Sequence, residues 1–487
     1  MIDHINWVHT SLLLFTDLAI RIGLSVRVIM RKRSASVSLA WLVVILLLPF
    51  VGSIIYILLG ENRLGEHRAL RAADSVTILE KWSTKLQHAT KVDWNRVNPE
   101  CEPLHRLITA EFSIPATQGN DLQLIDASDL FFDNLIQDIQ LANNCILLQF
   151  YIISLGGRVN DVVQALITAV QRGVTCRILA DSIGSSAFLK SDKAKKMVSA
   201  GIEIVEALPA GIFRSLFVRV DLRNHRKLVV IDASVAYTGS QNLVDPLYFK
   251  QESGVGTWKD TMTRIRGPLV EVMTASFFYD WMLETGTSID YLAQSVSVTP
   301  HDVSGDAIVQ LLPSGPGFRE NAIHDLLLTT IYAARQELIL TTPYFVPDNA
   351  ILTALESAAL RGVAVTIIVP MKNDSKLVHY ASQAMFENLA QAGVKIMLYR
   401  EGLLHAKTIT VDNNYSLFGS VNLDMRSFWL NFELTLFVYD QVFTQRLRIL
   451  QQHYMAGSVP LDYAAYCKRS FYQRFKENAA LLVGPLL

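Results

Sequence analysis

A short motif occurs twice in this chain, and its two copies start 180 positions apart. Each copy has a histidine, a lysine two residues later, an aspartate five residues after the lysine, and then a Gly-Ser-x-Asn segment. A lone His-x-Lys pair is common, but two long strings matched at every offset indicate a duplication. The chain is therefore expected to fold as two related halves that build one site together. The copies are His225, Lys227, Asp232, Gly239, Ser240 and Asn242, and His405, Lys407, Asp412, Gly419, Ser420 and Asn422.

The residue types of the doubled motif suit a phosphate ester. In-line displacement at phosphorus needs charged and neutral hydrogen-bond donors on the non-bridging oxygens, a nucleophile on one face and a proton donor at the leaving oxygen. A neutral imidazole can attack phosphorus while a protonated one serves the leaving oxygen, because the pKa of histidine is near ~6.5. The predicted substrate-binding donors are the charged Lys227 and Lys407 and the neutral Ser240, Asn242, Ser420 and Asn422.

The residues that follow each His-x-Lys predict strands. Leu228–Ile231 and Thr408–Val411 are short runs rich in β-branched residues. Residues two apart in an extended chain face the same side, so the histidine and the lysine of each copy are expected to point together. The glycine that follows each strand permits the tight turn that returns the serine and asparagine to the site.

Two later carboxylates are candidates for orienting the histidines, as a third group orients the base in nucleophile–base pairs. We expect Glu433 to serve the histidine of the second half and Asp260 to serve that of the first. The spacings differ, because Glu433 lies 11 residues after Asn422 whereas Asp260 lies 18 residues after Asn242. The assignment of Asp260 therefore has the weaker support from spacing.

The candidate catalytic set also contains the two motif aspartates. Asp232 and Asp412 follow the predicted strands, and we expect them to be structural, pairing with the backbone or a basic group. A metal site is disfavoured, because His225 and Asp232 have no nearby cysteine or second histidine and the lysines would repel a cation. We therefore predict a reaction without a metal or other cofactor. The full set is His225, Lys227, Asp232, His405, Lys407 and Asp412.

Residues 1–60 are predicted to hold two membrane segments. Leu39–Leu59 is a run of 21 residues without a charge, and as one helix it would span ~30 Å, the thickness of a bilayer core. Pro49 and Gly52 are tolerated in such helices. The preceding segment, Ile5–Met30, contains Asp17, Arg21 and Arg27 and reads either as a membrane helix with polar ends or as an interfacial helix.

Basic residues flank the second apolar segment on both sides. Those between the two segments would place this loop in the cytoplasm by the positive-inside rule, and the catalytic part would then emerge on the outer side. Those that follow the second segment favour the opposite orientation. Both orientations stay open at this stage. The first group is Arg27, Arg31, Lys32 and Arg33, and the second is Arg63, Arg68 and Arg71.

Strand and helix patterns alternate after the N-terminal region, which predicts an α/β fold with a mixed sheet in each half. We expect a linker over residues 61–110, a first half over 111–290, a second half over 291–457 and a C-terminal tail over 458–487. The basic and aromatic residues of the tail and of Ile212–Arg223 fit either membrane contact or ordinary solvated surface.

Length and composition limit the class of protein. At 487 residues the chain is long enough for two sizeable cores. Its 44 basic and 45 acidic residues argue against a nucleic-acid partner, which normally calls for a strongly basic protein. The mean hydropathy of +0.27 points to a membrane. No disulfide framework is expected, because the cysteines have no paired spacing: Cys101, Cys145, Cys176 and Cys467.

These motifs resemble the phospholipase D superfamily, whose signature is the duplicated His-Lys-Asp motif. Further stretches resemble its bacterial cardiolipin synthases, in the long form with two N-terminal membrane segments. The resemblance runs essentially from end to end, and its Trp258-Lys-Asp260 context also supports Asp260 as an orienting carboxylate. The stretches are Leu47–Gly65, Asp221–Lys227, Ala236–Ser240, Thr342–Pro347 and Gly419–Ser427.

The resemblance implies two pseudo-symmetric α/β halves preceded by transmembrane helices, at the bacterial cytoplasmic membrane. It implies transfer of a phosphatidyl group from one phosphatidylglycerol to another, giving cardiolipin and glycerol through a phosphatidyl-histidine. It further implies that His225, in the N-terminal copy, is the nucleophile and that His405 is the general acid and base.

Other functions remain as alternatives to this reading. Water or another alcohol in place of the second lipid would make the protein a membrane-bound phospholipase D or a different phosphatidyltransferase. A nuclease is disfavoured because the chain has no excess of basic residues. A lipid-binding scaffold with an inactive site is disfavoured because every motif residue is present twice.

Overall fold

The structure, a computed structural model, describes residues 2–31, 35–61, 63, 65, 68, 70–71, 92–209, 219, 221–295, 303–319 and 321–484. The chain divides into two compact units. One contains residues 1–69 and 210–222, and the other contains residues 70–209 and 223–487. Most of the basic and apolar stretch 212–223, which fitted either membrane contact or ordinary solvated surface, lies outside the described residues.

The described residues of the N-terminal unit form three helices, α1 (Ile2–Met30), α2 (Ala35–Leu47) and α3 (Val51–Leu59). The prediction of one uninterrupted helix over Leu39–Leu59 is wrong, since the helix is interrupted between the end of α2 at Leu47 and the start of α3 at Val51. Pro49 has no N–H to donate, and Phe50 has a left-handed φ of 56°. In the part of the chain that the structure describes, no helix combines the length and the apolar character needed to cross a membrane.

The second unit is an α/β structure. Its strands are β1 (Thr117–Ile125), β2 (Cys145–Phe150), β3 (Thr175–Asp181), β4 (Glu203–Ala207), β5 (Arg223–Asn224), β6 (Leu228–Ile231), β7 (Val235–Gly239), β8 (Trp258–Lys259), β9 (Met262–Arg266), β10 (Ala307–Ser314), β11 (Glu337–Thr341), β12 (Phe345–Val346), β13 (Ala364–Pro370), β14 (Lys395–Tyr399), β15 (Leu403–Leu404), β16 (Thr408–Val411), β17 (Tyr415–Gly419), β18 (Leu423–Asp424), β19 (Asn431–Val438) and β20 (Ser458–Pro460). Its α-helices are α4 (Glu102–Phe112), α5 (Ser128–Leu141), α6 (Arg158–Gln171), α7 (Ser186–Leu189), α8 (Asp192–Ser199), α9 (Leu269–Thr285), α10 (Ile289–Ser295), α11 (Ala322–Ala333), α12 (Asn349–Leu360), α13 (Lys376–Gln391), α14 (Met425–Trp429), α15 (Gln441–Ala456), α16 (Tyr463–Cys467) and α17 (Phe471–Leu482).

The strands follow the same order in each half. The first half runs β1-β9-β7-β6-β2-β3-β4, and the second runs β10-β19-β17-β16-β11-β13-β14 with β20 at the edge. The halves join where β1 pairs with β10 in antiparallel fashion, with Thr117 opposite Val309. Within each half, parallel pairs such as β2 with β3 adjoin antiparallel pairs such as β2 with β6. The predicted fold of two pseudo-symmetric α/β halves with mixed sheets is confirmed.

Burial explains why these segments form strands. All six residues of β2 and all four of β6 and β16 are buried, as expected for strands covered on both faces. The pairing also fixes where the motifs lie. Gln149 at the carboxyl end of β2 is opposite Leu228 at the start of β6, and Thr341 of β11 is opposite Thr408 of β16. The residues just before β6 and β16 therefore lie at the carboxyl ends of the parallel strands.

The described end of the predicted linker packs into a core. Helix α4 has an amphipathic sequence, and it buries Leu104, Ile108 and Phe112 among residues of the second half. Residues 92–112 therefore contribute to the α/β unit, while most of 62–91 lies outside the described residues.

Candidate active site

Each motif histidine is tied by its backbone to the opposite half. His225 lies between β5 and β6, and its N–H donates to the carbonyl of Phe432 at 2.8 Å. His405 lies between β15 and β16, and its N–H donates to the carbonyl of Lys259 at 2.7 Å. Both side chains are buried. The two halves therefore share one site, whose backbone is held from both sides.

The orienting carboxylates pair crosswise. The Nδ1 atom of His225 lies 2.9 Å from Oε2 of Glu433, and that of His405 lies 2.6 Å from Oδ1 of Asp260. The predicted pairing within each half is therefore wrong, because each carboxylate serves the histidine of the other half. Both residues that the sequence singled out do reach a histidine.

Two short parallel pairings produce the crossing. Strand β5, just before His225, pairs with the start of β19, which leads into Glu433. Strand β15, just before His405, pairs with β8, which leads into Asp260. The spacing of the carboxylates within each half could not predict this arrangement, because each histidine and its carboxylate belong to different halves and come together only when the chain folds.

Burial sets the protonation state of the two histidines. It lowers the pKa of His225 to about 4, although Glu433 acts in the opposite direction. Burial likewise lowers the pKa of His405 to about 4, against the effect of Asp260. Burial works to raise the pKa of Asp260, but His405, Lys407 and Ser240 together outweigh it and lower this pKa to about 2. At neutral pH each free imidazole is neutral and donates from Nδ1 to a carboxylate, which leaves Nε2 for a substrate.

A buried lysine accompanies each histidine. The Nζ of Lys227 donates to the carbonyl of His225 at 2.6 Å, and that of Lys407 donates to the carbonyl of His405 at 2.5 Å. Each ammonium group keeps further hydrogens for a ligand. Burial lowers the pKa of Lys407 to about 8 and holds the pKa of Lys227 well below its ordinary value. An arriving anion would stabilise the charged form of both lysines.

The motif serines hold the carboxylates. Ser240 Oγ donates to Asp260 Oδ1 at 2.6 Å, and Ser420 Oγ donates to Glu433 Oε2 at 2.6 Å. A hydroxyl has one hydrogen, so these bonds use the hydrogen that the sequence analysis assigned to a phosphate. Each serine therefore donates a hydrogen bond to the carboxylate of its own half, and that carboxylate contacts the histidine of the other half.

The motif asparagines retain free donor capacity. Asn242 Oδ1 accepts the N–H of Ile152 at 3.1 Å, so its amide group is fixed by its oxygen. Asn422 Oδ1 is buried and has no hydrogen-bond partner among the described residues. The assignment of both asparagines to substrate binding stays a prediction.

Two aromatic residues that the sequence analysis did not select contact the histidines. The ring of Tyr151 meets that of His225 edge-on at a centroid distance of 5.1 Å, and the Nζ of Lys227 lies 5.7 Å from the same tyrosine ring. The ring of Trp258 lies 4.5 Å from that of His405. Trp258 could have been selected from the sequence, because it lies two residues before the candidate carboxylate Asp260. Tyr151 directly follows β2, and no motif in the sequence marks it.

Arg226, inside the first motif, is a further residue that the motif analysis missed. Its buried guanidinium donates to both oxygens of Asp280, at 2.7 and 2.6 Å, and its Nε donates to the carbonyl of Glu433 at 3.0 Å. The second copy has Ala406 at this position. Arg226 therefore supports the backbone of one orienting carboxylate, and the side chain of Ala406 cannot give the other the same support. In the sequence, Arg226 could have been noticed because the two motif copies differ there, His-Arg-Lys in the first and His-Ala-Lys in the second.

The motif aspartates contact backbone. The carboxylate of Asp232 accepts the N–H groups of Asn143, Asn144 and Cys145, each at 2.8 Å. The carboxylate of Asp412 accepts those at the start of β11, from Arg335 at 2.8 Å and from Gln336 and Glu337 at 2.7 Å. Each aspartate thereby joins the turn after its motif strand to the start of the neighbouring strand.

The donor set of the site is cationic and neutral. In the described ranges, no group of three or more histidine, cysteine, aspartate or glutamate side chains is placed to hold a metal ion. That the reaction needs no metal stays a prediction.

Comparison with known proteins places the chain in a family. The family model described as cardiolipin synthase, PLD-like domain, matches residues 135–264 and 327–453, which contain the two motif copies. Proteins named cardiolipin synthase A are similar over nearly the whole length. That of Klebsiella pneumoniae subsp. pneumoniae is 45% identical over 465 residues, and that of Serratia proteamaculans is 43% identical over 465 residues, covering 96% of both chains in each case.

The chain belongs to the cardiolipin synthases. The predicted family is confirmed, and with it an enzyme of the phosphatidyltransferase type. Cardiolipin synthases are membrane-associated enzymes. A model described as phospholipase D-nuclease N-terminal matches residues 19–61.

A solved structure supports the fold of this cardiolipin synthase. The crystal structure of phosphatidylserine synthase from Haemophilus influenzae Rd KW20 superposes with a TM-score of 0.56 at 15% identity. The match covers 75% of this chain and 95% of that chain. At this identity the similarity concerns the fold alone.

Proposed function

We propose that the protein joins two molecules of phosphatidylglycerol into cardiolipin and releases glycerol. The observation that carries the proposal is the crossed pair of imidazoles, each with Nδ1 on a carboxylate of the other half and each next to a buried lysine. Two such imidazoles fit a double displacement at phosphorus, with one as nucleophile and one as acid and base. The similarity to proteins named cardiolipin synthase A supports the choice of substrate and product.

The first step forms a covalent intermediate. Nε2 of His225 attacks the phosphorus of one phosphatidylglycerol, so a P–N bond forms while the bond from phosphorus to the headgroup glycerol oxygen breaks. His405, which takes up a proton from water as the phosphodiester binds, gives that proton to the oxygen, and glycerol leaves as the neutral alcohol. The bound phosphodiester helps His405 to hold this proton, because a nearby negative charge raises the pKa of an imidazole.

The second step transfers the phosphatidyl group to a lipid. The headgroup hydroxyl of a second phosphatidylglycerol gives its proton to the now neutral His405 and attacks phosphorus. The P–N bond breaks, cardiolipin leaves, and His225 is again free. His405 loses a proton in the first step and regains one in the second, so no further acid or base is needed to repeat the cycle.

The remaining motif residues hold the phosphate and the histidines. Lys227 and Lys407 neutralise charge on the non-bridging oxygens, and Asn242 and Asn422 donate neutral hydrogen bonds to them. Glu433 and Asp260 fix the tautomer and orientation of their histidines, and the serines fix the carboxylates. Asp232 and Asp412 act on strand ends and take no part in the chemical steps.

We further propose that the N-terminal unit, predicted from the sequence to hold two membrane segments, is inserted in the bacterial cytoplasmic membrane. The described side chains of α1 to α3 include many large apolar groups that are exposed in the isolated protein, which a lipid environment would cover. The match of residues 19–61 to the N-terminal family model supports a shared role. Examples are Trp7, Leu13, Phe15, Ile29, Leu47 and Val51.

Product analysis tests the proposed reaction. Purified protein in detergent is mixed with phosphatidylglycerol that is radiolabelled in its headgroup glycerol. The expected products are cardiolipin and free labelled glycerol in equal amounts. Phosphatidic acid with glycerol would instead identify a phospholipase D, and the absence of any product would identify a binding protein. The variant with both His225→Ala and His405→Ala is the control for contaminating lipases.

A further inference from the structure

Polar side chains of α1 form hydrogen bonds with the backbone at the break between α2 and α3. Asp17 is buried, and its Oδ1 accepts the N–H of Phe50 at 2.8 Å. Arg21 forms an ion pair with Asp17 at 2.5 Å and donates to the carbonyl of Leu46 at 3.0 Å. Two of the backbone groups at the break, the N–H of Phe50 and the carbonyl of Leu46, therefore have partners on α1. Broken helices are tolerated at membrane depth only under this condition.

The other end of α3 returns to the end of α1. The buried carboxylate of Glu61 accepts two hydrogen bonds from Arg27, both at 2.7 Å, and one from the hydroxyl of Tyr56 at 2.9 Å. Arg31 adds a contact at 3.2 Å. The beginning of α2 and the end of α3 thus lie on the same side, next to the C-terminal turns of α1.

Close packing between α2 and α3 shows that they form an antiparallel hairpin. The rings of Trp41 and Tyr56 are 5.3 Å apart, although these residues are separated by 15 positions. At Gly52 an added Cβ atom would lie 2.1 Å from the carbonyl oxygen of Val44, so only glycine permits this approach. We name residues 35–61 the apolar hairpin.

The positions along α1 give the depth of the hairpin. Its tip contacts Asp17 and its base contacts Arg27, which are ten residues apart in one helix. At a rise of ~1.5 Å per residue this separation is ~15 Å, about half of a ~30 Å bilayer core. The tip would therefore lie near the bilayer centre when Arg27 lies at the surface.

We infer that the apolar hairpin is re-entrant: it enters the lipid bilayer, turns at Pro49 and returns to the face from which it came. Its partner is the hydrocarbon of the lipids, and α1 supplies the polar groups that its tip requires. The inference rests on the proposed membrane location. It also chooses between the two orientations left open by the basic residues, because the chain beyond Glu61 then starts on the same face as Arg27 and Arg31, which is the cytoplasmic face.

Cysteine labelling of the full chain tests the topology. The background variant is Cys467→Ser, because the other three cysteines are buried. Met30→Cys and Leu70→Cys, at exposed positions on either side of the hairpin, are treated in sealed membrane vesicles with an impermeant maleimide. Both are expected to react from the same face. Reaction from opposite faces would mean that the segment crosses the membrane and would overturn the inference.

Labelling at the tip gives an independent measurement. Val51→Cys is expected to be protected in intact vesicles and to react only after detergent is added. Reaction of Val51→Cys from either face without detergent would place the tip in water and would also contradict a re-entrant hairpin. The product assay is run on the same vesicles, so a failure of the proposed reaction is recognised separately from a failure of the topology.

Cross-linking distinguishes the hairpin from a straight helix. In the double variant Trp41→Cys and Tyr56→Cys, a short bifunctional thiol reagent is expected to join the two positions, detected by mass spectrometry of the digested protein. In a straight helix, positions 15 residues apart would be about 22 Å apart and would not react. The control is Leu13→Cys with Val28→Cys, which has the same spacing inside the continuous helix α1. Equal yields in the two double variants would overturn the hairpin.

Discussion

His225 is oriented by Glu433, a carboxylate 208 residues later in the chain, through a contact of 2.9 Å between Nδ1 and Oε2. The reciprocal contact joins His405 to Asp260 at 2.6 Å. Neither half therefore contains both a motif histidine and the carboxylate that orients it. A change at either carboxylate is expected to act on the histidine of the opposite half.

The first prediction concerns this crossing. Glu433→Gln should change the rate at which diethyl pyrocarbonate modifies His225 and leave His405 nearly unaffected, because only the Nδ1 partner of His225 is altered. Asp260→Asn should show the reverse pattern. Peptide mass spectrometry gives both rates in one experiment. Turnover should fall roughly 10²–10⁴-fold in each variant, since the tautomer of one imidazole is no longer fixed. Effects on the histidine of the same half would contradict the crossed pairing.

A second prediction separates the roles of the two histidines. His225→Ala and His405→Ala should each abolish turnover, because both steps use both imidazoles. Only His405→Ala should still form a slow covalent adduct, since it retains the nucleophile. Acid-labile phosphohistidine is measured after incubation with phosphatidylglycerol radiolabelled in its phosphate. An adduct on His405 in the His225→Ala protein would reverse the assignment.

A third prediction concerns the alkaline side of the pH profile. Burial lowers the pKa of Lys407 to about 8, and lysine is charged below its pKa and neutral above it. The value of kcat/KM should therefore decrease as the pH rises through about 8, when the phosphate loses this charge. Lys407→Arg stays charged, so the activity that remains in this variant should lack the decrease. An unchanged alkaline limb in Lys407→Arg would assign it to another group.

The acid side provides a fourth prediction. The pKa of His225 is lowered to about 4, so its imidazole is neutral over most of the physiological range. We expect kcat/KM to decrease only when the pH falls through about 4, where protonation removes the nucleophile. Activity is measured with short-chain phosphatidylglycerol in detergent and compared with the melting temperature at each pH. An acid limb near the ordinary histidine pKa, without loss of folded protein, would contradict the effect of burial.

A fifth prediction separates structural from catalytic motif residues. Asp232→Ala removes the acceptor for three backbone N–H groups, which should destabilise the protein by about 1–3 kcal/mol. The melting temperature should fall, and the protein that stays folded at low temperature should keep most of its activity. His225→Ala is the matched control, with no activity at a temperature where the protein stays folded. Loss of activity in fully folded Asp232→Ala would show a direct role.

The sequence predicts those parts of the site that depend on local pattern. The β-branched runs after His225 and His405 are strands, and the alternation of strands and helices gives the two halves. The crossed carboxylates could not be predicted in the same way. They depend on the two-residue strands β5 and β8, which are too short for a recognisable pattern and pair with partners far along the chain.

The break at Pro49 illustrates a second limit. A run of 21 uncharged residues describes hydropathy, but not whether the backbone stays helical. The outcome depends on Asp17 and Arg21, which satisfy the released backbone groups from another helix. In the sequence these two charges only made the first segment less apolar. Their partners become identifiable once the helices are placed in three dimensions.

The crossed contacts also bear on how such a chain could arise. A protein with only one half would obtain the same histidine–carboxylate pairs as a symmetric dimer in which each copy gives its carboxylate to the other. Fusion of two copies preserves that exchange and removes the requirement that they be identical. Arg226 faces Asp280 in one half while Ala406 stands in the other, so the two sides of this ancestral symmetry have already become different. In a fused chain, one histidine can specialise without altering its partner.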